Sequence, residues 1–222
     1  MNFNTLSEII TTASPLVLFI GTSVGLYYYK NLDKIGKLLF FYLAGSLLID
    51  LSSRLLSELI HNNLFLFFVL TLLELFVFLK LYYHVTKKKK LVLGLAVFGI
   101  VYTLVESIYL NANNVKIFQP YAKALGPLLI VSMALLFFFE LIKDEEKLYK
   151  NEADYLVLNS TILCFFALQF LIFLPLNFLI NTDLQLAGYI FIGNVFFLIL
   201  FYIYLTYFIC KRGKNQKRSF FG

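Results

Sequence analysis

Residues 46–63 read SLLIDLSSRLLSELIHNN, and this stretch decides the fold because it places three ionisable side chains, Asp50, Arg54 and Glu58, in a very apolar neighbourhood. Leucines surround each charge, so the segment suits a membrane in all but these positions. Charged residues inside a membrane span are costly, and they usually face the interior of a helix bundle, where they find partners. The stretch therefore predicts a membrane-spanning helix with a polar face.

The composition of the whole chain indicates the same class of protein. Of its 222 residues, 60% are hydrophobic and 14% are charged, whereas a soluble domain is about 45–50% apolar and about 25% charged. One soluble core of this size could not bury so much apolar surface. The first apolar run follows no basic region and precedes no A-x-A-like site, so we expect no cleaved signal peptide.

Seven segments are candidate transmembrane helices, because each approaches the roughly 20 apolar residues that a span requires. They are residues 10–29, 38–60, 64–84, 91–110, 123–142, 156–180 and 186–210. Short polar loops separate them, and no internal repeat interrupts the series. The predicted fold is all-α, with a single seven-helix transmembrane domain over residues 1–210 and a short basic tail over residues 211–222.

The distribution of lysine and arginine predicts the direction of these spans. Fifteen of the 19 lie in residues 30–37, 85–90, 143–155 and the tail, while the opposite side carries only Lys116 and Lys123. Cytoplasmic loops are enriched in basic residues, so we expect an N-out, C-in protein of the bacterial cytoplasmic (inner) membrane, with a periplasmic N-terminus. The basic runs flank helix ends, where they meet anionic lipid, so no direct nucleic-acid contact is expected.

The polar residues of the second span fall on one helical stripe. Their spacings of four, four, three and four residues place them on the same face, and the members are Ser46, Asp50, Arg54, Ser57 and His61. Asp50 and Arg54 are four residues apart and can pair directly.

Glu74 lies near the middle of the third span, with Thr71 one turn before it. Because a tight HNN turn joins the two spans, we expect Asp50, Arg54 and Glu74 to form one cluster with surplus negative charge. Such a cluster would hold a proton on one carboxyl group or be completed by a cation or water. The alternative is purely structural, since buried polar residues also hold membrane helices together.

A second polar group is predicted closer to the outer surface. Tyr102 and Glu106 are one turn apart on the fourth span, and Pro175 interrupts the sixth. Gln169, Asn177 and Asn194 of the last two spans are expected to line a cavity with them or to hold helices together, and Asn159 is a further supporting polar residue.

Several function classes lack their required residues. The seventh span has no lysine for a retinal Schiff base, and the two histidines, His61 and His84, lie at opposite membrane faces and cannot form a zinc site. We expect no catalytic residues, no metal and no other cofactor. An acid-only membrane hydrolase using Asp50, Glu74 or Glu106 stays open.

The run DLSSRLLSELIHNNLFLFFVLTLLELFVFLKLYY, residues 50–83, resembles a family of small seven-transmembrane-helix membrane proteins of Bacteroidota. Thr71, Glu74 and Phe76 match its T-x-x-E-F-like motif, although Leu75 stands where phenylalanine is usual. Residues 154–173 are similar to its W-I-N-x-G stretch, with Asn159 on the asparagine but without the tryptophan and glycine. Some family members accompany sensor kinases, so the resemblance implies a membrane accessory role.

These observations predict a non-enzymatic sensor or accessory subunit that binds a small ligand, lipid or proton in a polar intramembrane site. It would signal to a cytoplasmic protein partner through the basic inner loops, within the lipid bilayer and as a monomer or homo-oligomer. One alternative is a channel or proton- or ion-coupled transporter that uses the same carboxylates. Another is a membrane accessory of an RNA-guided antiviral defence system.

Overall fold

The computed structural model describes residues 3–59, 61, 63, 65–109, 121–143 and 153–219. Across these ranges the chain forms helices and turns, without a strand. The helices are α1 (Phe3–Tyr28), α2 (Lys34–Leu59), α3 (Leu66–Val85), α4 (Lys89–Tyr109), α5 (Ala122–Lys143), α6 (Ala153–Thr182) and α7 (Leu184–Ser219). A short 3-10 helix at Tyr29–Asn31 joins α1 to α2.

All seven helices are long and apolar enough to cross a membrane. The prediction of an all-α protein with seven spans is therefore confirmed, and the chain is a multi-pass membrane protein. Large apolar side chains such as Leu48, Ile108 and Phe139 are exposed on the helix surfaces, as expected for residues that face lipid.

The helix ends differ from the predicted spans mainly at the termini. α1 begins at Phe3, and α7 continues to Ser219, so most of the predicted basic tail is helical. Lysine and arginine are good helix formers, and Gly213 lies directly against the ring of Tyr28. An apolar run marks the membrane-spanning part of a helix, but it does not mark where the helix stops.

The helices form two compact units. The first comprises Met1–Asn63 and Gln185–Gly222, and it contains α1, α2 and α7; the second comprises Leu64–Leu184 and contains α3 to α6. The single transmembrane domain predicted over residues 1–210 stays a prediction.

Close packing in the first unit depends on small residues of α1. A Cβ added at Gly21 would lie 2.5 Å from the hydroxyl of Thr206 on α7, and one added at Gly25 would overlap the ring of Phe40 on α2. Small residues let membrane helices approach closely. On the other side of α2, the buried ring of Tyr42 packs against Tyr202 of α7.

In the second unit α3 packs against α4, α5 and α6. The rings of Phe78 and Phe166 meet edge to face with centroids 4.8 Å apart, which joins α3 to α6. Gly126 of α5 lies beside Thr71, since an added Cβ would be 3.0 Å from the Thr71 methyl group. This close approach of α3 and α5 brings the side chains of the next turns within reach of each other.

Candidate functional site

A buried ion pair joins α3 to α5 in the second unit. Glu74 is the ninth of the twenty residues of α3 and therefore lies near the middle of its span. The Lys123 ammonium group lies 2.7 Å from Glu74 Oε2, and the side chains of Lys123 and Glu74 are only 4% and 3% exposed. Two charges so far from water stabilise each other only in a tight geometry, and this one is tight.

The counter-ion of Glu74 differs from the predicted one. The predicted cluster placed the Arg54 guanidinium group beside Glu74, whereas the Lys123 ammonium group lies there. Lys123 was counted among the basic residues of the outer side, and its side chain is buried. Lys123 lies in the first turn of α5, so its position in the sequence resembled a loop residue. Its long side chain runs into the helix packing instead of out of it.

A periodic signal could have identified Lys123. The buried residues Gly126, Ile130, Ala134 and Phe137 follow it at intervals of three, four, four and three residues. Such intervals define one face of a helix. Lys123 therefore lies on the buried stripe of α5, and the intervals alone could have placed it there.

An aromatic ring completes the surroundings of the ammonium group. Lys123 Nζ lies 5.7 Å from the centroid of the Phe173 ring on α6. A cation over the face of an aromatic ring is stabilised by the ring quadrupole. Nearby Thr71 is buried and donates its hydroxyl hydrogen to the Phe67 carbonyl oxygen at 2.8 Å. This hydrogen bond lies within α3, so Thr71 contributes to the packing without a polar partner on another of the described helices.

Glu106 of α4 holds the beginning of α5. Its two carboxylate oxygens accept hydrogen bonds from the backbone N–H groups of Tyr121 and Ala122, at 2.5 and 2.6 Å. The first N–H groups of a helix have no partner within the helix, and a negative charge there also interacts favourably with the helix dipole. Glu106 thus fixes the same end of α5 that carries Lys123.

Tyr102, predicted to line a polar cavity with Glu106, is half-buried and packs against Phe68 and Ala122. It also lines an open groove of about 450 Å³ on the surface of α4. The other lining residues are apolar, namely Gly94, Val97, Phe98, Val101 and Val105. This lining suits hydrocarbon better than a polar ligand.

Asn159 of α6 forms a second buried polar contact. It accepts a hydrogen bond from the Tyr82 hydroxyl group of α3 at 2.8 Å, and it donates one to the Ala134 carbonyl oxygen of α5 at 3.2 Å. The adjacent cavity, which Tyr82 and Asn159 line with Phe137 and Tyr155, measures only about 10 Å³. That volume is about the least that one water molecule needs, so Asn159 joins three helices and leaves no room for a larger ligand.

The opposite end of α5 contacts the turn between α3 and α4. Glu140 Oε2 accepts a hydrogen bond from the backbone N–H of Lys87 at 3.0 Å. Lys87 is the first of four consecutive lysines, at positions 87–90. α5 is therefore attached at its first turn to α3 and α4, and at its last turns to the basic turn that joins them.

Asp50 and Arg54 form the predicted pair in the first unit. Arg54 Nε lies 3.0 Å from Asp50 Oδ2, and the side chains of Arg54 and Asp50 are 42% and 26% exposed. Arg54 Nη2 also donates to the Thr11 carbonyl oxygen of α1 at 2.6 Å. Pro15 stands four residues after Thr11 and has no N–H to donate to it, so Arg54 supplies the donor that the proline removes.

The remaining predicted residues differ in their exposure. Ser46 is buried and Ser57 is exposed, although both share the stripe of Asp50. Gln169 and Asn194 are buried, and the side chain of Asn177 lies outside the described part of the structure. Among the described residues, no three histidine, cysteine, aspartate or glutamate side chains form a group that could hold a metal ion.

In comparisons with known proteins, no family model, no curated protein and no solved structure matches the chain. The resemblance to the Bacteroidota family accordingly stays a prediction. The contacts within the second unit are therefore the basis for a functional proposal. This unit contains the buried Glu74–Lys123 pair and the helix α5, which carries Lys123 in its first turn.

Proposed function

We propose that the chain is a non-enzymatic membrane sensor or accessory subunit in which α5 links the Glu74–Lys123 pair to the basic α3–α4 turn. A proton, a small ligand or a lipid headgroup that competes for either charge would change the pairing. A cytoplasmic protein partner would bind the lysines of the turn. With the N-terminus outside, this turn faces the cytoplasm of a bacterium.

The attachment of α5 at both ends is the observation that supports this proposal. Its first turn carries Lys123, and Glu106 holds the N–H groups there. Its last turns carry Glu140, which holds the basic turn. A helix of 22 residues is about 33 Å long at 1.5 Å per residue, so a displacement at one end is transmitted across the bilayer core.

The energy of the ion pair is large enough to shift a two-state equilibrium. Breaking a buried ion pair by removing one partner costs about 3–5 kcal/mol, because the other charge stays buried without compensation. A two-state equilibrium moves from about 1:99 to about 99:1 with about 5.5 kcal/mol. Loss of the Glu74–Lys123 attraction covers about half to nine-tenths of that energy, so it would shift the balance between two positions of α5 without a complete inversion.

A fluorescent reporter on the basic turn tests this link. Lys88→Cys, in a Cys164→Ala and Cys210→Ala background, places one labelling site on the exposed turn. After labelling with an environment-sensitive dye, we expect Glu74→Gln and Lys123→Gln to shift the dye emission, since each removes one charge of the pair. The swapped pair, Glu74→Lys with Lys123→Glu, should restore the original emission.

Glu58→Gln is the matched control, because Glu58 is an exposed glutamate of α2. It should leave the dye emission unchanged. Unchanged emission in Glu74→Gln, in a protein that retains its far-ultraviolet circular dichroism, would contradict the link between the ion pair and the turn. Flux of protons or cations in proteoliposomes would instead favour the channel or transporter, because a sensor conducts neither.

A further inference from the structure

Exposed residues of α3 form a stripe that is apolar at one end and basic at the other. Val69, Phe76, Lys80 and Tyr83 are separated by seven, four and three residues, which places them on one helical face. All four side chains are exposed. The stripe continues into the basic turn, where Lys89 begins α4.

Lys80 and Lys89 hold their charges over aromatic rings of this stripe. The ammonium group of Lys80 lies 5.0 Å from the Phe76 ring centroid, and that of Lys89 lies 5.5 Å from the Tyr83 ring centroid. Among the described residues, the two ammonium groups contact these rings and form no salt bridge with a carboxylate. Lys80 lies five residues inside the end of α3, where an unpaired charge is costly.

We infer that this stripe binds one anionic phospholipid, with the phosphate between Lys80 and Lys89 and an acyl chain along Phe76 toward Val69. The apolar half of the stripe favours a lipid over free phosphate, because only a lipid covers it. The amino-terminal end of α4 adds a favourable dipole for an anion. The carboxylate of Glu140 is also at this turn, where it accepts a hydrogen bond from the Lys87 N–H, but the four lysines at positions 87–90 outnumber it.

This site uses the exposed face of α3 and neither member of the Glu74–Lys123 pair, and it shares only Lys89 with the basic turn of the proposed function. Each lysine near a membrane surface contributes to the attraction of anionic lipid. Two lysines together should therefore raise the affinity for an anionic lipid about tenfold to thirtyfold above the affinity for a zwitterionic lipid.

Fluorescence quenching by brominated lipid measures the occupancy of the stripe. The chain has no tryptophan, so Phe76→Trp creates a single reporter that keeps a ring beneath Lys80. Leu135→Trp on α5 is the reporter matched in depth. Leu135 is exposed and lies eight residues before the end of α5, whereas Phe76 lies nine residues before the end of α3. Each protein is reconstituted in phosphatidylcholine vesicles with increasing brominated phosphatidylglycerol.

We expect Phe76→Trp to be half-quenched at about a tenfold lower fraction of brominated phosphatidylglycerol than Leu135→Trp. With brominated phosphatidylcholine, the two reporters should respond alike. Adding Lys80→Gln and Lys89→Gln should remove the difference, whereas Lys88→Gln with Lys90→Gln, which removes two exposed lysines of the same turn, should retain it.

Equal quenching of the two reporters by brominated phosphatidylglycerol would overturn the inference. Equal effects of the two double lysine variants would also overturn it, because they would indicate general attraction to the turn. Displacement of the quenching lipid by inorganic phosphate would show that the site takes free phosphate and not a lipid. Circular dichroism of every variant verifies that the helices are retained.

Discussion

Glu74 and Lys123 place opposite charges in a part of the second unit that water does not reach. Taking both charges out of water costs several kcal/mol per ion, and their attraction returns that energy only when both are present. The stability of the folded chain should therefore depend on the two residues jointly. This dependence separates a true buried pair from two side chains that merely lie close together.

We predict that Glu74→Leu or Lys123→Met alone lowers the free energy of unfolding by about 3–5 kcal/mol, because each leaves a buried charge without a partner. The double variant should lose far less, since apolar residues of similar volume replace the pair. Unfolding in mixed detergent micelles with increasing dodecyl sulfate, followed by circular dichroism, measures all three. A double variant that loses the sum of the single losses would argue against the pair.

The sequence predicted Glu74 as a buried residue but not its partner, and the reason is physical. The apolar run around Glu74 leaves few places for a carboxylate, so its burial follows from the run itself. The identity of the cation depends on which face each helix turns toward its neighbours. The close approach of Thr71 and Gly126 selects Lys123, and no property of the Glu74 segment alone encodes that approach.

At the level of helices, α1 and α2 are joined by a hydrogen bond that a proline makes necessary. Pro15 interrupts the ladder of α1, and Arg54 of α2 donates to the Thr11 carbonyl oxygen that the proline leaves without its usual donor. Freed backbone groups of membrane helices are satisfied by neighbouring helices in this way. The polar stripe of α2 predicted Arg54 in an acidic cluster, whereas Arg54 pairs with Asp50 and with the backbone carbonyl group that Pro15 leaves without a donor.

We predict that Pro15 and Arg54 are energetically coupled. Arg54→Gln alone should lower the free energy of unfolding by about 1 kcal/mol, a value reduced by the partial exposure of the arginine. In a Pro15→Ala background the new N–H satisfies Thr11, so the same substitution should cost less. The double-mutant cycle is measured by the unfolding assay in dodecyl sulfate.

Equal costs of Arg54→Gln in the two backgrounds would show that the guanidinium group does not replace the missing donor. Ser57→Ala on the same helix is the control, because Ser57 is exposed. It should change stability by no more than about 0.5 kcal/mol in either background.

For the whole molecule, the number of spans was predictable because each apolar run is long enough to cross a bilayer by itself. The division of seven helices into two compact units was not predictable, because it depends on packing between helices distant in the sequence. α7 shares its unit with α1 and α2 through contacts such as those of Tyr42 with Phe201 and Tyr202. A hydropathy pattern carries no information about such partners.

The distribution of basic residues predicts the direction of insertion. Fifteen of them lie on the predicted inner side, against Lys116 and Lys123 on the outer side. We therefore predict an N-out, C-in topology in a bacterial inner membrane. In the background without native cysteines, Thr5→Cys should react with an impermeant maleimide in intact spheroplasts, whereas Lys214→Cys should react only after permeabilisation.

Lys88→Cys should behave like Lys214→Cys, because both are exposed basic positions on the predicted inner side. The reverse labelling pattern would place the basic turn outside the cell, where no cytoplasmic partner could reach it.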